Sequence, residues 1–99
     1  MTGTSVIAQN YTRQITLDAV AQEVGLSRFH VARIIKRSTG KTMTQHIRTM
    51  RINRARELLE STDLSYAQIA YDLGFADQSY FIRQFREMTG TTPARYRNG

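Results

Sequence analysis

The sequence predicts an all-α fold of about seven helices, arranged as two helix–turn–helix lobes joined by a long connector helix. Three observations carry this expectation. The pattern between Leu17 and Arg48 recurs between Ser65 and Arg97. Apolar residues recur at helical spacing throughout, and no segment alternates with the period of two that a strand requires. Most segments open on a side chain able to cap a helix, and four end at a glycine. The repeat is clearest when each copy is counted from its own glycines. Val20, Ala21 and Val24 precede Gly25 as Ile69, Ala70 and Leu73 precede Gly74. Val31, Arg33, Ile35 and Thr39 precede Gly40 as Phe81, Arg83, Phe85 and Thr89 precede Gly90. The second copy holds one extra residue in its turn. Two copies with a joining segment make a pseudo-symmetric pair, whereas a solenoid needs three or more.

The elements follow in order. Val6 to Tyr11 is a short apolar start expected to form a first helix. Thr16 caps a second helix through Val24, which Gly25 stops in the left-handed conformation. Ser27 caps a third that runs to about Thr39 and ends at Gly40. Thr42 with Gln45 is a capping box for a long fourth helix to about Ser61, and Ser65 with Gln68 repeats it for a fifth ending at Gly74. Asp77 caps the sixth, which stops at Gly90. Pro93, following Thr92, opens a short seventh as a first-turn proline. The lobes are thus expected at residues 1–41 and 63–99, with the connector at 42–62.

Charge narrows the class of partner. The formal balance is +6, and between Val24 and Arg56 nine Lys or Arg stand with no Asp or Glu. Twelve of the fourteen cations are Arg, whose planar fork suits phosphate and the guanine edge. Such a field favours a polyanion, its plain alternative being a solvated basic surface. The absence of Cys excludes disulfides and thiolate metal sites. No apolar run approaches 18 residues and no secretory leader is visible, so a cytoplasmic protein without membrane association is expected. Neither a cofactor nor enzymatic activity is expected. His30 and His46 have no accompanying ligand set, and Gly40-Lys41-Thr42 lacks the glycine and preceding strand of a phosphate-binding loop. Nothing assembles a nucleophile, a base and an oxyanion site.

The faces of the third and sixth helices point to a mechanism. Val31, Ile34, Ile35 and Ser38 recur at helical spacing and are expected to face the core, leaving Arg28, Phe29, Ala32, Arg33 and Lys36 opposite. On the sixth helix Phe81, Phe85 and Met88 point inward. Gln78, Ser79, Ile82, Arg83 and Arg86 are left outward, with Tyr80 beside them. These outward sets hold the groups used in a major groove: Arg for guanine, Gln for adenine, Phe or Ile for the thymine methyl. Candidate base contacts are therefore Arg28, Phe29, Ala32, Arg33, Gln78, Ser79, Tyr80, Ile82 and Arg83. Candidate phosphate contacts are His30, Lys36, Arg37, Lys41, Thr42, Arg86, Thr92 and Arg95, the two threonines through backbone N–H groups at helix starts. Plainer roles stand beside these. Arg33 and Arg83 could be surface ion-pair partners, Phe29 and Tyr80 could pack, and Thr42 and Thr92 could simply cap. On the connector, Arg51 is expected to pair with a carboxylate such as Glu57 or Asp72.

A connector of roughly 18 to 20 residues is about 27 to 30 Å long. Successive major-groove faces lie about 34 Å apart. One chain can then set two reading helices in adjacent groove segments if the duplex bends or the helices tilt, at a cost on the order of 1 to 6 kcal/mol. The first lobe, with the denser cations, is expected to insert firmly and the second to add weaker contacts.

Between Ile15 and Arg97 the chain resembles the DNA-binding domain of the AraC/XylS family of bacterial transcription regulators. The first half carries the likeness in Ile15-Thr16-Leu17, Ala21, Gly25-Leu26-Ser27, Val31, Arg33, Thr39-Gly40, the Arg51-Ile52 to Ala55 run and Leu58-Leu59. The second half carries it in Ile69-Ala70, Gly74-Phe75, Ser79-Tyr80-Phe81, Arg83, Phe85, Thr89-Gly90, Pro93 and Tyr96-Arg97. The resemblance implies that the third and sixth helices are recognition helices on double-stranded promoter DNA, with RNA polymerase as a further partner. It also implies either a stand-alone regulator or a piece of a longer one: this segment is expected to be monomeric, and a longer protein would dimerise through a separate domain. Met43 and His46 stand where family members often have Pro and Tyr, changes expected to alter packing more than reading. The first helix is shorter and more polar than usual, which leaves its docking open. A non-specific or architectural DNA binder, and a basic helical module for an acidic protein or membrane surface, are the alternatives.

Overall fold

A computed structural model describes residues 3–99, with side chains from Val6 onward; Met1 and Thr2, drawn into the first lobe above, lie outside the described residues. Among the described residues there are seven helices and no strand: α1 Gly3–Asn10, α2 Leu17–Val24, α3 Arg28–Thr39, α4 Met43–Ser61, α5 Tyr66–Asp72, α6 Gln78–Thr89 and α7 Pro93–Asn98. The chain divides into two compact units, Met1–Met50 and Arg51–Gly99. The boundary falls within α4. Ile47 belongs to the core of the first unit, while Ile52, Ala55 and Leu59 are buried in the second.

Local chemistry sets the helix ends. Thr16, Ser27, Ser65, Asp77 and Thr92 all hold extended backbone conformations and accept the amide three residues ahead. In the first unit the Gly25 amide donates to Gln22 and the Leu26 amide to Ala21. In the second, the Gly74 amide donates to Tyr71 and the Phe75 amide to Ala70. This pairing of bonds requires a left-handed residue at its centre, supplied by Gly25 at φ 73° and Gly74 at φ 85°. At the start of α4, Thr42 accepts the Gln45 amide and its own amide donates to Gln45 Oε1, closing the expected capping box. The box expected at α5 is only half formed. Ser65 accepts the Gln68 amide, but the Gln68 side chain donates forward to Asp72 at 2.7 Å. A carboxylate one turn ahead is a stronger acceptor for the Gln68 amide group than any neutral one nearby, and it competes with the reciprocal cap. Ser27→Ala and Asp77→Ala are each expected to cost about 0.5 to 2 kcal/mol of stability, measurable by urea denaturation.

Burial follows the repeat. In the first unit Val6, Ile7, Val20, Ala21, Val31, Ile35 and Ile47 form the core, with Tyr11, Ile15, Leu17, Val24, Met43 and Met50 packed against it. The short α1 is therefore docked, through Val6 and Ile7. Asn10 ends it by donating its side-chain amide to the Val6 carbonyl at 2.8 Å. In the second unit Ile69, Ala70, Leu73, Phe81 and Phe85 occupy the corresponding inward positions. One expectation about α3 needs correction: Ser38 is exposed, and Ile34, like Met88 on α6, is only half-buried. Helical spacing sets the direction of a side chain but not the reach of its neighbours, and the 12-residue α3 outruns the 8-residue α2.

The extra residue in the second turn has a visible effect. Leu26, directly after Gly25, remains exposed, whereas Phe75, directly after Gly74, is buried. Its ring lies 5.1 Å from Phe81 and 6.2 Å from Tyr80. Arg97 ties the chain end to this unit by donating to the carbonyls of Leu59, Leu64 and Thr62, with its guanidinium over the Tyr66 ring. The Leu59 carbonyl is one of the last acceptors of α4, which have no partner within the helix. Tyr96 packs edge-on against Phe85 and donates to Glu60, a bond that raises the phenol above its ordinary pKa.

Candidate nucleic-acid interface

The outward face of α3 is cationic with one large apolar group. Arg28, Phe29, His30, Arg33, Lys36 and Arg37 are exposed, and Ala32 is half-buried beneath them. Phe29 is 74% exposed, which removes the possibility that it folds into the core. Two of these cations already have partners. Arg28 Nε lies 3.5 Å from Asp18 of α2, and Lys36 donates to the Gly40 carbonyl at the end of its own helix. Both arrangements are solvent-exposed and cheap to exchange for another anion. Ala32, Arg33, Lys36 and Thr42 meet, with Leu17 and Met43, around a hollow of about 500 Å³ between α3 and the start of α4. A smaller depression gathers His30, Arg33, Ile34 and Arg37.

The second unit repeats the arrangement. Gln78, Ser79, Arg83 and Arg86 are exposed on α6, and Ile82 is half-buried. Ser79, Ile82, Arg83, Arg86, Glu87 and Thr92 line a hollow of about 580 Å³. Ala32, Arg33, Lys36 and Thr42 have Ile82, Arg83, Arg86 and Thr92 as their counterparts at a constant interval along the chain. Each unit thus places a cation pair, a smaller apolar residue and a capping threonine around the same concavity. Lys41 is half-buried and Arg95 exposed, each beside the helix start that follows its glycine.

Tyr80 is 38% exposed and serves both sides of this face. Its ring packs toward Phe75, and the Arg83 guanidinium lies 5.6 Å from its centroid. The expected pairing of Arg51 with Glu57 or Asp72 is replaced by other contacts. Arg54 bonds Glu57 at 2.7 Å, Gln68 bonds Asp72, and Arg51 lies over the Phe75 ring at 5.7 Å. Burial pulls the Arg51 pKa down from its ordinary value, and the nearby Tyr80 acts in the opposite direction. Arg51 and Arg97 are thus framework residues. The signal that could have separated them from the outward arginines is their spacing of one turn from the buried positions Ala55 and Pro93.

The backbone at the two capping threonines differs between the units. The Thr42 amide is taken by Gln45, and the residue after Thr92 is Pro93, which has no N–H. At α4 the Thr42 amide is thus already bonded within the cap, whereas at α7 the residue without an N–H is Pro93 and not Thr92. Among the described residues no group of three or more His, Cys, Asp or Glu is placed to hold a metal, and no helix is long and apolar enough to cross a membrane.

Two helix–turn–helix units, each presenting a helix with exposed cations, define a DNA-binding domain of the transcription-regulator class. A family model described as a helix-turn-helix domain matches residues 20–99. The chain belongs to the AraC/XylS family of transcription regulators. It is 40% identical over 91 residues to the melibiose operon regulatory protein of Escherichia coli K12, covering 92% of this chain and 30% of that protein. It is 35% identical over 94 residues to the bifunctional transcriptional activator/DNA repair enzyme AdaA of Bacillus subtilis, covering 95% of this chain and 44% of that protein. The chain thus spans less than half the length of both relatives. Among solved structures, it matches an AraC-type regulator of Chromobacterium violaceum with a TM-score of 0.89 and 30% identity, covering 97% of this chain and 86% of that one. The DNA-binding domain of AdpA, solved in complex with a target DNA, matches with the same TM-score and coverage at 27% identity.

Proposed function

We propose that this chain binds double-stranded promoter DNA sequence-specifically, with α3 and α6 laid in adjacent major-groove segments, and that it regulates bacterial transcription initiation. RNA polymerase is the further partner in this reading, and a longer protein would supply any dimerisation. The observation that carries it is the recurrence of Arg33 and Arg83 at corresponding outward positions beside a groove-facing hollow. Arginine there can contact the O6 and N7 of guanine in a bidentate manner, and Phe29 and Ile82 offer apolar surface for thymine methyls. The remaining cations, from Lys36 and Arg37 to Arg86 and Arg95, supply phosphate contacts that fix register without reading sequence. The AdpA domain, similar in fold and solved on its target DNA, supports the same use of this architecture.

The test is selection of bound duplexes from a random DNA library by this 99-residue chain at near-physiological salt. Two preferred sequence blocks about one helical turn apart are expected. A pool unchanged from input, together with affinity that falls steeply with salt, would instead mark a charge-driven DNA coat. Capture by anionic vesicles with no shift of duplex DNA would mark a membrane-surface module.

A further inference from the structure

The second unit carries an aromatic and cationic stack that the first does not repeat. Arg51 of α4 lies over the Phe75 ring, Phe75 meets Tyr80 at 6.2 Å with an interplanar angle of 56°, and Arg83 lies 5.6 Å from the Tyr80 centroid. Phe75 is buried and rests on Phe81 of the core, so the inner end of the stack is fixed. Arg83 forms the exposed outer end. Long helical side chains lean toward the helix N-terminus, which carries Arg83 back over the residue one turn earlier. Glu87, one turn in the other direction, lines the hollow beside Arg83 as its natural competitor. In the first unit the position corresponding to Tyr80 is His30, which offers a smaller ring and accompanies Arg33 and Arg37 in their shallow depression.

We infer that Tyr80 is a positioning residue for Arg83: its ring, anchored through Phe75, holds the guanidinium away from Glu87 and ready to read one base pair. This rests on the proposed DNA-reading role of α6. Stacking engages the face of the guanidinium and leaves the N–H groups along its edge available for hydrogen bonds. A side chain held in this way loses less freedom when it meets guanine than one waving in solvent, so part of the ordering cost is met before binding. The second unit thereby contributes selectivity at one base pair, while the denser cations of the first contribute affinity.

The experiment compares the 99-residue chain with Tyr80→Leu, Tyr80→Phe, Arg83→Ala and the double variant Tyr80→Leu/Arg83→Ala. Each is titrated on the best selected duplex and on the same duplex with the Arg83-dependent base pair exchanged. Tyr80→Leu is expected to reduce discrimination between the two duplexes by about three- to thirtyfold. Tyr80→Phe, which keeps the ring and removes the hydroxyl, is expected to retain discrimination. In the Arg83→Ala background, Tyr80→Leu is expected to add no further loss. A loss that persists without Arg83, or that Tyr80→Phe reproduces in full, would overturn positioning in favour of direct contact by Tyr80. Unchanged discrimination in Tyr80→Leu would overturn it outright. Thermal unfolding of each variant separates these results from misfolding, and Tyr80→Gln, which also removes the ring, carries the test with the same expected loss if Tyr80→Leu fails to fold. If the unmodified chain selects no sequence, the DNA-reading role itself fails, a result distinct from selection that is indifferent to Tyr80.

Discussion

Phe85→Ala is expected to destabilise the Arg51–Gly99 unit by about 3 to 5 kcal/mol, enough to unfold most of it at moderate urea. The side chain is fully buried, with Phe81 edge-on at 5.9 Å and Tyr96 edge-on at 5.6 Å. Truncation removes the transfer free energy of the ring and leaves a cavity between two partners that other bonds hold in place. Tyr96 is held by Glu60 and the adjoining Arg97 by three carbonyls, so neither is free to collapse inward. The comparison is Phe29→Ala, the same chemical change at a site 74% exposed. There the expected effect on stability is within about 0.5 kcal/mol. Equilibrium unfolding followed by circular dichroism checks both. A Phe85→Ala loss below about 1 kcal/mol would show that the second core can repack around the missing ring.

Arg33→Ala and Arg83→Ala are each expected to weaken binding to the selected DNA by about 1 to 3 kcal/mol, with relaxed preference at a different base pair for each. Neither side chain supports a core, since both are exposed on helices whose inward positions are filled by Val31 and Ile35 or Phe81 and Phe85. The loss should therefore appear in binding and not in thermal unfolding. Quantitative titration on single-base variants of the selected site is the measurement. Equal weakening on every sequence, with a salt slope reduced by about one, would make these arginines phosphate contacts. Arg28→Ala provides a useful contrast, because its neighbour Asp18 already competes for the guanidinium.

The outward faces of α3 and α6 differ in their chemistry. On α3 the cations are dense and the apolar group is a fully presented ring, whereas on α6 the cations are fewer and one is stacked on an aromatic support. Firmer insertion of the first unit would show as stronger footprint protection of its half-site. Equal protection, with equal losses from mutating either unit, would remove the distinction.

Much of this protein was legible from residue order because its decisive signals are local. A capping hydroxyl or carboxylate, an apolar residue every third or fourth position and a left-handed glycine act within one or two turns. The ends of α2, α3, α4 and α6 accordingly lie within a residue of where those signals place them. The repeat also identified the paired buried positions, since a doubled pattern around equivalent glycines can satisfy two small cores only in the same way. What tertiary structure alone decided was the choice among partners of comparable strength. Arg51, which the sequence offered carboxylates on α4 and α5, lies over the ring of Phe75 beyond the end of α5. The deeper case is Arg97, whose acceptors lie 33 to 38 residues earlier in the chain. Spacing along a sequence sets which face a side chain is on, but the partner it meets there depends on distances across the fold that no local pattern encodes.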